Sequence, residues 1–168
     1  MTASTDDRVR RGYPILFGLV IVLAIIEMSI AGFLTSRYNT HHNFPSTSLR
    51  DRARYLLFVS IWTIIFGAFY IVIFLTSGTG GSILASVASH GIFLFVTWVF
   101  WLAGAASVTA SLDGGHNCSS LSFNLPYCNQ LNALMGFAWV ECIGLIILFI
   151  LGVRAVRRGD GFRGQLTV

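Results

Sequence analysis

The sequence predicts an all-α membrane protein, a four-helix transmembrane bundle with both termini in the cytosol. Three observations carry this prediction. Of the 168 residues, 55% are hydrophobic, only 11% are charged, and the apolar residues fall into four long stretches. Soluble chains carry about 25% charged residues, so this chain lacks the polar surface that a soluble domain of its size needs. Lipid is therefore the solvent that the composition favours.

Each apolar stretch is long enough to cross a bilayer as a helix. About 20 helical residues span the ~30 Å hydrocarbon core, where backbone polar groups must pair within their own segment. The sequence therefore predicts one transmembrane domain at residues 13–153, between tails at 1–12 and 154–168. The first stretch is too long for a cleaved signal peptide and is expected to remain as an anchor. The helices are predicted at about 13–34, 55–77, 82–110 and 131–153.

The distribution of positive charge along the chain predicts the orientation. All eleven residues counted as Lys or Arg are arginine. An even number of crossings puts both tails on one side, and cytoplasmic segments carry the excess of positive charge. The tails hold seven arginines and the connection at residues 35–54 holds four, so both tails are expected in the cytosol. There they can meet anionic lipid headgroups, and three arginines after the last helix are the candidate contacts: Arg154, Arg157 and Arg158.

The third loop holds two of the three cysteines, Cys118 and Cys128. A separation of ten residues permits a disulfide, and the predicted topology places this loop outside the cytosol, where disulfides persist. A metal site that adds His116 to the two cysteines is the disfavoured alternative, because a fourth ligand is missing. Asn117 begins an Asn-Cys-Ser sequence that matches the N-glycosylation pattern, but its position near a helix end and its cysteine neighbour argue against use.

Three ionisable residues fall inside the apolar stretches: Glu27, His90 and Glu141. A charge at the centre of a membrane helix costs at least ~2.5 kcal/mol, so such residues rarely persist without a partner. Glu27 lies about fourteen residues into the first helix and Glu141 about twelve into the fourth, which puts both ~20 Å deep. His90, about eight residues into the third helix, is shallower and is expected to face a close helix neighbour.

The matched depths of Glu27 and Glu141 allow two interpretations. Facing one another, the two carboxyls can share a proton or bridge through water and so fasten two helices together. Alternatively, they belong to a proton or ion relay. The structural interpretation is favoured, because a transporter normally has broken helices or internal repeats, and the four spans here are unbroken.

Small residues in the third helix predict close helix contacts. Ala103 and Ser107 have small-xxx-small spacing, as do Ala106 and Ala110. Such faces let helix backbones approach each other, either within one chain or between two chains. A Gly-rich stretch at residues 78–81 is expected to form the turn between the second and third helices.

Several motifs follow one another in a specific order. They are Arg52-x-Arg54 and Phe58 at the start of the second helix, Trp62-Thr63 and Tyr70 within it, the run at residues 98–106 in the third helix, the loop with Cys118 and Cys128, and Ala133, Phe137, Ala138 and Trp139 in the fourth helix. Through these motifs nearly the whole chain resembles the fungal branch of the MARVEL domain, a four-helix membrane module with cytosolic termini.

The resemblance implies membrane organisation, since relatives are associated with membrane apposition, vesicle traffic and lateral domains of the plasma membrane. It implies neither an enzyme nor a cofactor, and it places the protein in the plasma membrane or in secretory or endosomal vesicles. The residues agree: no nucleophile stands with a base, no Gly loop suits a phosphate, and no set of metal ligands is apparent. The polar connection at residues 35–54 is long enough to carry a surface specific to one partner.

The expected partners are the lipid bilayer, including anionic lipids, and other membrane proteins in a homo- or hetero-oligomer. No motif that reads nucleic acid is present, so nucleic acid is not an expected partner. The alternative function is a small proton-coupled channel or transporter that uses Glu27 and Glu141. A quinone-linked thiol oxidoreductase would need a Cys-x-x-Cys pair, which the sequence lacks.

Overall fold

The computed structural model describes residues 3–42, 44–76, 87–115, 118 and 126–158. Within these residues the chain forms four helices and no strand: α1 (Ala3–His41), α2 (Thr47–Thr76), α3 (Val87–Ser111) and α4 (Cys128–Arg158). Each helix contains a stretch that is long and apolar enough to cross a membrane. The predicted all-α fold with four transmembrane helices is therefore confirmed. The predicted turn at residues 78–81 lies outside the described residues.

The connection predicted at residues 35–54 is mostly helix rather than loop, which corrects the sequence interpretation. α1 continues to His41 and α2 begins at Thr47, so only residues 42–46 link them. Hydropathy shows only where the apolar part of each helix ends. The helices continue beyond that point as polar segments, because no Gly or Pro interrupts residues 35–41 or 47–54. The partner-specific surface that the sequence placed on this connection therefore lies on the outer sides of the end of α1 and the start of α2.

Local signals explain where these helices stop and start. α2 is capped by Ser46, whose Oγ accepts a hydrogen bond from the backbone N–H of Leu49 at 3.1 Å. His42 has a φ of 50° directly after α1, which ends that helix. After α3, Gly114 and Gly115 have φ values of 87° and 108°, a left-handed conformation that glycine adopts without steric cost.

The four helices form a closed ring in which each packs against two neighbours. α1 contacts α2 and α4, and α3 also contacts α2 and α4. Large buried side chains from all four helices fill the centre, among them Leu34, Leu56, Trp101 and Leu145. The outward faces carry bulky apolar side chains such as Ile65, which lipid solvates well and water does not.

Hydrogen bonds join α2 and α3 at the middle of the bundle. The indole N–H of Trp62 donates to Thr97 Oγ1 at 3.2 Å, and that of Trp101 donates to Thr63 Oγ1 at 3.0 Å. Each helix thus supplies one Trp donor and one Thr acceptor. Because Trp101 is completely buried, its bond to Thr63 satisfies an indole N–H that would otherwise be unpaired in an apolar interior.

Further bonds join α2 and α3 toward both ends. At one end the Tyr70 and Ser89 hydroxyls are 2.8 Å apart. At the other end the guanidinium of Arg52 donates to the backbone carbonyl of Ser107. Arg52, Trp62-Thr63 and Tyr70 are among the residues on which the family resemblance rests, so these motif residues hold two helices together.

Candidate functional site

The two membrane carboxyls lie at the middle of neighbouring helices. Glu27 is the thirteenth residue of the 27-residue span Ile15–His41, and Glu141 is the fourteenth of the 27-residue span Cys128–Arg154. Both side chains are fully buried, with 0% of their surface exposed. Since α1 packs against α4, the structure brings the two carboxyls together inside the bundle rather than exposing either to lipid.

The carboxyl oxygens of this pair have no hydrogen-bond partner among the described residues. The two groups are nevertheless close enough for their charges to interact. A neutral carboxylic acid offers one O–H donor and further acceptor sites, whereas an ionised carboxylate only accepts. The arrangement therefore suits a shared proton, or a small polar bridge such as water, between α1 and α4.

The surroundings of the carboxyl pair are small and apolar. Ala24 and Ala31 lie one turn to either side of Glu27 on α1, and Ala138 precedes Glu141 on α4; all three are completely buried. Cys142, next to Glu141, is a buried free thiol. No charged partner for either carboxyl lies in this part of the described structure, and no group of three His, Cys, Asp or Glu there could hold a metal ion.

A buried polar layer crosses the whole bundle at this depth. Thr63 and Trp101 lie within three residues of the middle of the spans Thr47–Ile73 and Ser89–Ser111. At 1.5 Å per residue, that offset is less than ~5 Å along the helix axis. The carboxyl pair between α1 and α4 and the Trp-Thr pairs between α2 and α3 are thus at the same level.

His90 is not part of that layer. Its ring centroid lies 5.3 Å from that of Phe17 on α1 and 5.1 Å from that of Tyr70 on α2. Phe17 precedes Glu27 by ten residues, so His90 is ~15 Å away from Glu27 along the bundle. The structure therefore brings together two of the three predicted intramembrane groups and leaves His90 among aromatic rings.

A disulfide joins Cys118 and Cys128, whose Cα atoms are 5.8 Å apart. It ties the connection after α3 to the first residue of α4. Tyr127, beside this bridge, packs its ring against Phe33 and Tyr38 of α1 at centroid distances of 5.7 and 5.9 Å. The disulfide end of the bundle is thereby fixed to α1 as well as to α4. Asn117 and His116 lie outside the described residues.

The predicted tail arginines start as part of α4. Arg154 has an exposed side chain, and Arg157 and Arg158 are the last residues of that helix. The first residues of the predicted C-terminal tail are therefore helical. Their contact with lipid headgroups stays a prediction.

The small-residue pattern of α3 separates into two faces. Ser107 is half-buried against α2, its hydroxyl donating to the Gly104 carbonyl at 2.8 Å. In contrast, Ala103, Ala106 and Ala110 are exposed on the outside of the bundle. One predicted pair, Ala106 and Ala110, thus lies entirely on the outer face, and Ala103 extends that face by one turn.

The sequence interpretation missed the paired Trp-Thr bonds. Trp62-Thr63 and Thr97 with Trp101 were visible as residues, but their partnership depends on how α2 and α3 are aligned, which a single sequence does not give. The one usable signal was the presence of a Thr within four residues of a Trp on both helices, since an indole N–H in lipid needs an acceptor.

Comparison with known proteins gives one match. The family model of MARVEL, a membrane-associating domain, matches residues 8–151, which include the carboxyl pair, the Trp-Thr pairs and the disulfide. The match is to the family as a whole and does not test the fungal branch. No curated protein and no solved structure matches the chain.

Proposed function

Because the chain belongs to the MARVEL family of membrane-associating domains, we propose that it organises membranes by associating with other copies in the plane of the bilayer. The observation that carries this proposal is the outer face of α3, where Ala103, Ala106 and Ala110 are exposed. Such a face lets a second helix approach closely, and close packing is what drives helix association in lipid.

The contrast with the rest of the outer surface strengthens the argument. On α2, α1 and α4 the exposed positions are mostly bulky, for example Ile65 and Ile143. Even on α3 itself, Phe95 and Val99 project outward before the small residues begin. A partner helix that lies along the half of α3 nearer the disulfide therefore meets a run of small side chains, which allow a closer approach than bulky ones do.

Energy transfer between labelled copies in liposomes tests the proposal. Ala106→Ile with Ala110→Ile is expected to weaken association about tenfold, because two bulky side chains would hold the partner helix away. Ala68→Ile is the matched control, since Ala68 is also exposed but lies on α2. Equal association in the wild type and in the double variant would rule out this face, and loss in the control alone would point to α2 instead.

The second part of the proposal concerns orientation and lipid. We propose that both tails lie in the cytosol and that Arg154, Arg157 and Arg158 contact the anionic inner leaflet. The excess of arginine in the tails supports this orientation.

Replacing these three arginines by Gln tests the lipid contact. Each near-surface Arg contributes ~1 kcal/mol of attraction to an anionic membrane, so preference for phosphatidylserine-rich regions of giant vesicles should fall strongly in the triple variant. Added salt should reduce the wild-type preference as well, because surface charges are screened. A triple variant that partitions like the wild type would exclude a lipid-sensing tail.

A proton relay through Glu27 and Glu141 is the second candidate function. One observation favours it: both carboxyls are fully buried at mid-depth and lack hydrogen-bond partners among the described residues. Glu27→Gln with Glu141→Gln keeps the shape of both side chains and removes the titrating protons. Proton flux in liposomes that is lost in this variant would support a relay. No flux in the wild type, together with normal folding of the variant, would leave the structural role.

A further inference from the structure

The polar ends of α1 and α2 on the disulfide side carry arginines just beyond the apolar surface. On α1 the last large apolar side chain that is exposed is Phe33, four residues before Arg37. On α2 the first is Phe58, four residues after Arg54. Both arginines are exposed and lie one helical turn outside the apolar region. That level is where the headgroups of lipids meet the hydrocarbon.

Contacts within its own helix hold Arg37 in place. Its guanidinium carbon lies 5.4 Å from the centre of the Phe33 ring, and its Nη1 is 3.1 Å from Nε2 of His41. No acidic side chain pairs with Arg37 in the described part of the chain. A guanidinium has five N–H donors, so this contact leaves several for an external acceptor.

The arginines of α2 also exceed their acidic partner. Arg50 and Arg54 share the single carboxylate of Asp51, at 3.2 and 3.6 Å. Arg54 bonds in addition to Asn39 of α1 at 2.6 Å, which positions its guanidinium at the junction of the two helices. Two arginines thus share one acid, and Arg37 adds a further exposed cation, so this surface keeps an excess of positive charge.

We propose that Arg37 and Arg54 bind the phosphate groups of phospholipids in the leaflet at the disulfide end of the bundle. A phosphodiester matches the planar donors of a guanidinium, and Arg binds phosphate in a bidentate manner. The acyl chains of a lipid bound at Arg37 then lie against Phe33, and those of a lipid bound at Arg54 lie against Phe58. This combination of charge and adjoining apolar surface fits a lipid rather than a soluble anion. The proposal is independent of self-association through α3.

Spin-labelled lipids added to the full-length protein in phosphatidylcholine vesicles test this site. The measured quantity is the preference of the protein-bound lipid fraction for phosphatidylglycerol over phosphatidylcholine. Arg37→Gln with Arg54→Gln is expected to lower that preference about two- to fivefold for each charge removed. Arg37→Gln alone is the cleaner variant, because the contacts of Arg37 with Phe33 and His41 stay within α1. Asp51→Asn, which removes the shared acid, is expected to raise the preference.

Two results would overturn the proposal. One is an unchanged preference in both the single and the double variant, with helix content equal to that of the wild type. The other is loss of the wild-type preference when inorganic phosphate replaces chloride at the same ionic strength, since that would indicate a site for the free anion. Lowered preference in the variants and insensitivity to free phosphate would support a lipid site.

Discussion

Gly104 shows at the scale of one residue how closely α2 and α3 approach. A Cβ at this position would lie 2.5 Å from Cδ2 of Leu56 and 3.3 Å from Cε1 of Tyr55. Leu56 is itself fully buried, so it has little room to move aside. Glycine at this position therefore leaves room for the side chains of Leu56 and Tyr55 against α3, rather than providing a special backbone conformation.

Gly104→Val is expected to destabilise the bundle by roughly 1–3 kcal/mol, the usual cost of overpacking a filled interior. Unfolding of the detergent-solubilised protein by sodium dodecyl sulfate measures this. Gly136→Val on α4 is the matched control, because a Cβ there would meet nothing within 4 Å. Similar stabilities for the two variants would show that α2 and α3 do not pack as closely as described.

Other residue-level features could be predicted from the sequence, and some could not. The shared depth of Glu27 and Glu141 followed from counting along two apolar stretches, because helical rise is constant. The sequence did not predict that Ala106 is exposed while Ser107 is half-buried, since both residues belong to a small-xxx-small pair. Which of them faces a neighbouring helix depends on the rotation of α3 about its axis, and hydropathy does not fix that rotation when every face is apolar.

At the scale of secondary-structure elements, the pairing of α2 with α3 depends on polar bonds inside an apolar bundle. Lipid-exposed helices gain little from apolar contact with each other, because lipid tails are as apolar as their side chains. The two Trp-to-Thr bonds give this interface a fixed register. We therefore expect the two partners of one bond to show energetic coupling.

A double-mutant cycle on Thr63 and Trp101 measures that coupling. Thr63→Val keeps the shape of the side chain and removes the acceptor, and Trp101→Phe removes the donor. Membrane hydrogen bonds average ~0.6 kcal/mol and reach ~1.7 kcal/mol, and a completely buried pair should lie toward the upper value. Additive effects of the two substitutions would mean that the bond contributes nothing to stability.

The ends of α1 and α2 provide a second test at this scale. Ser36→Pro is expected to cost about 3 kcal/mol and to shift the chain after it, because residue 36 is inside α1. Thr47→Pro is expected to be tolerated, since Thr47 is the first residue of α2 and proline suits that position. Thermal unfolding in detergent compares them. Equal tolerance would favour the loop that hydropathy alone suggested at residues 35–54.

Hydropathy predicted that four helices exist and roughly where each crosses the bilayer, but not where each helix ends. α1 has 39 residues and is ~58 Å long, about twice the thickness of the hydrocarbon core. Its polar ends give no apolar signal, and the signals that remain are local, such as the cap at Ser46. Those local signals decide the boundaries.

At the scale of the whole molecule, the closed ring of helices gives the protein two different ends. The start of α1 and the finish of α4 lie at one end. The disulfide, the tyrosines around it and Arg37 lie at the other. The sequence offered a contact between the first and fourth helices only as one interpretation of the matched depths of Glu27 and Glu141, and the structure shows α1 packed against α4 around that pair.

Thiol labelling on sealed vesicles tests the central claim most directly. Thr5→Cys and Thr167→Cys report on the two tails, while Cys118 and Cys128 report on the opposite end. The account predicts that the tail thiols react only with reagent on the cytosolic side. It also predicts that Cys118 and Cys128 react only from the other side, and only after reduction of their disulfide. Tail thiols that react from the outside, or free Cys118 and Cys128 facing the cytosol, would contradict it.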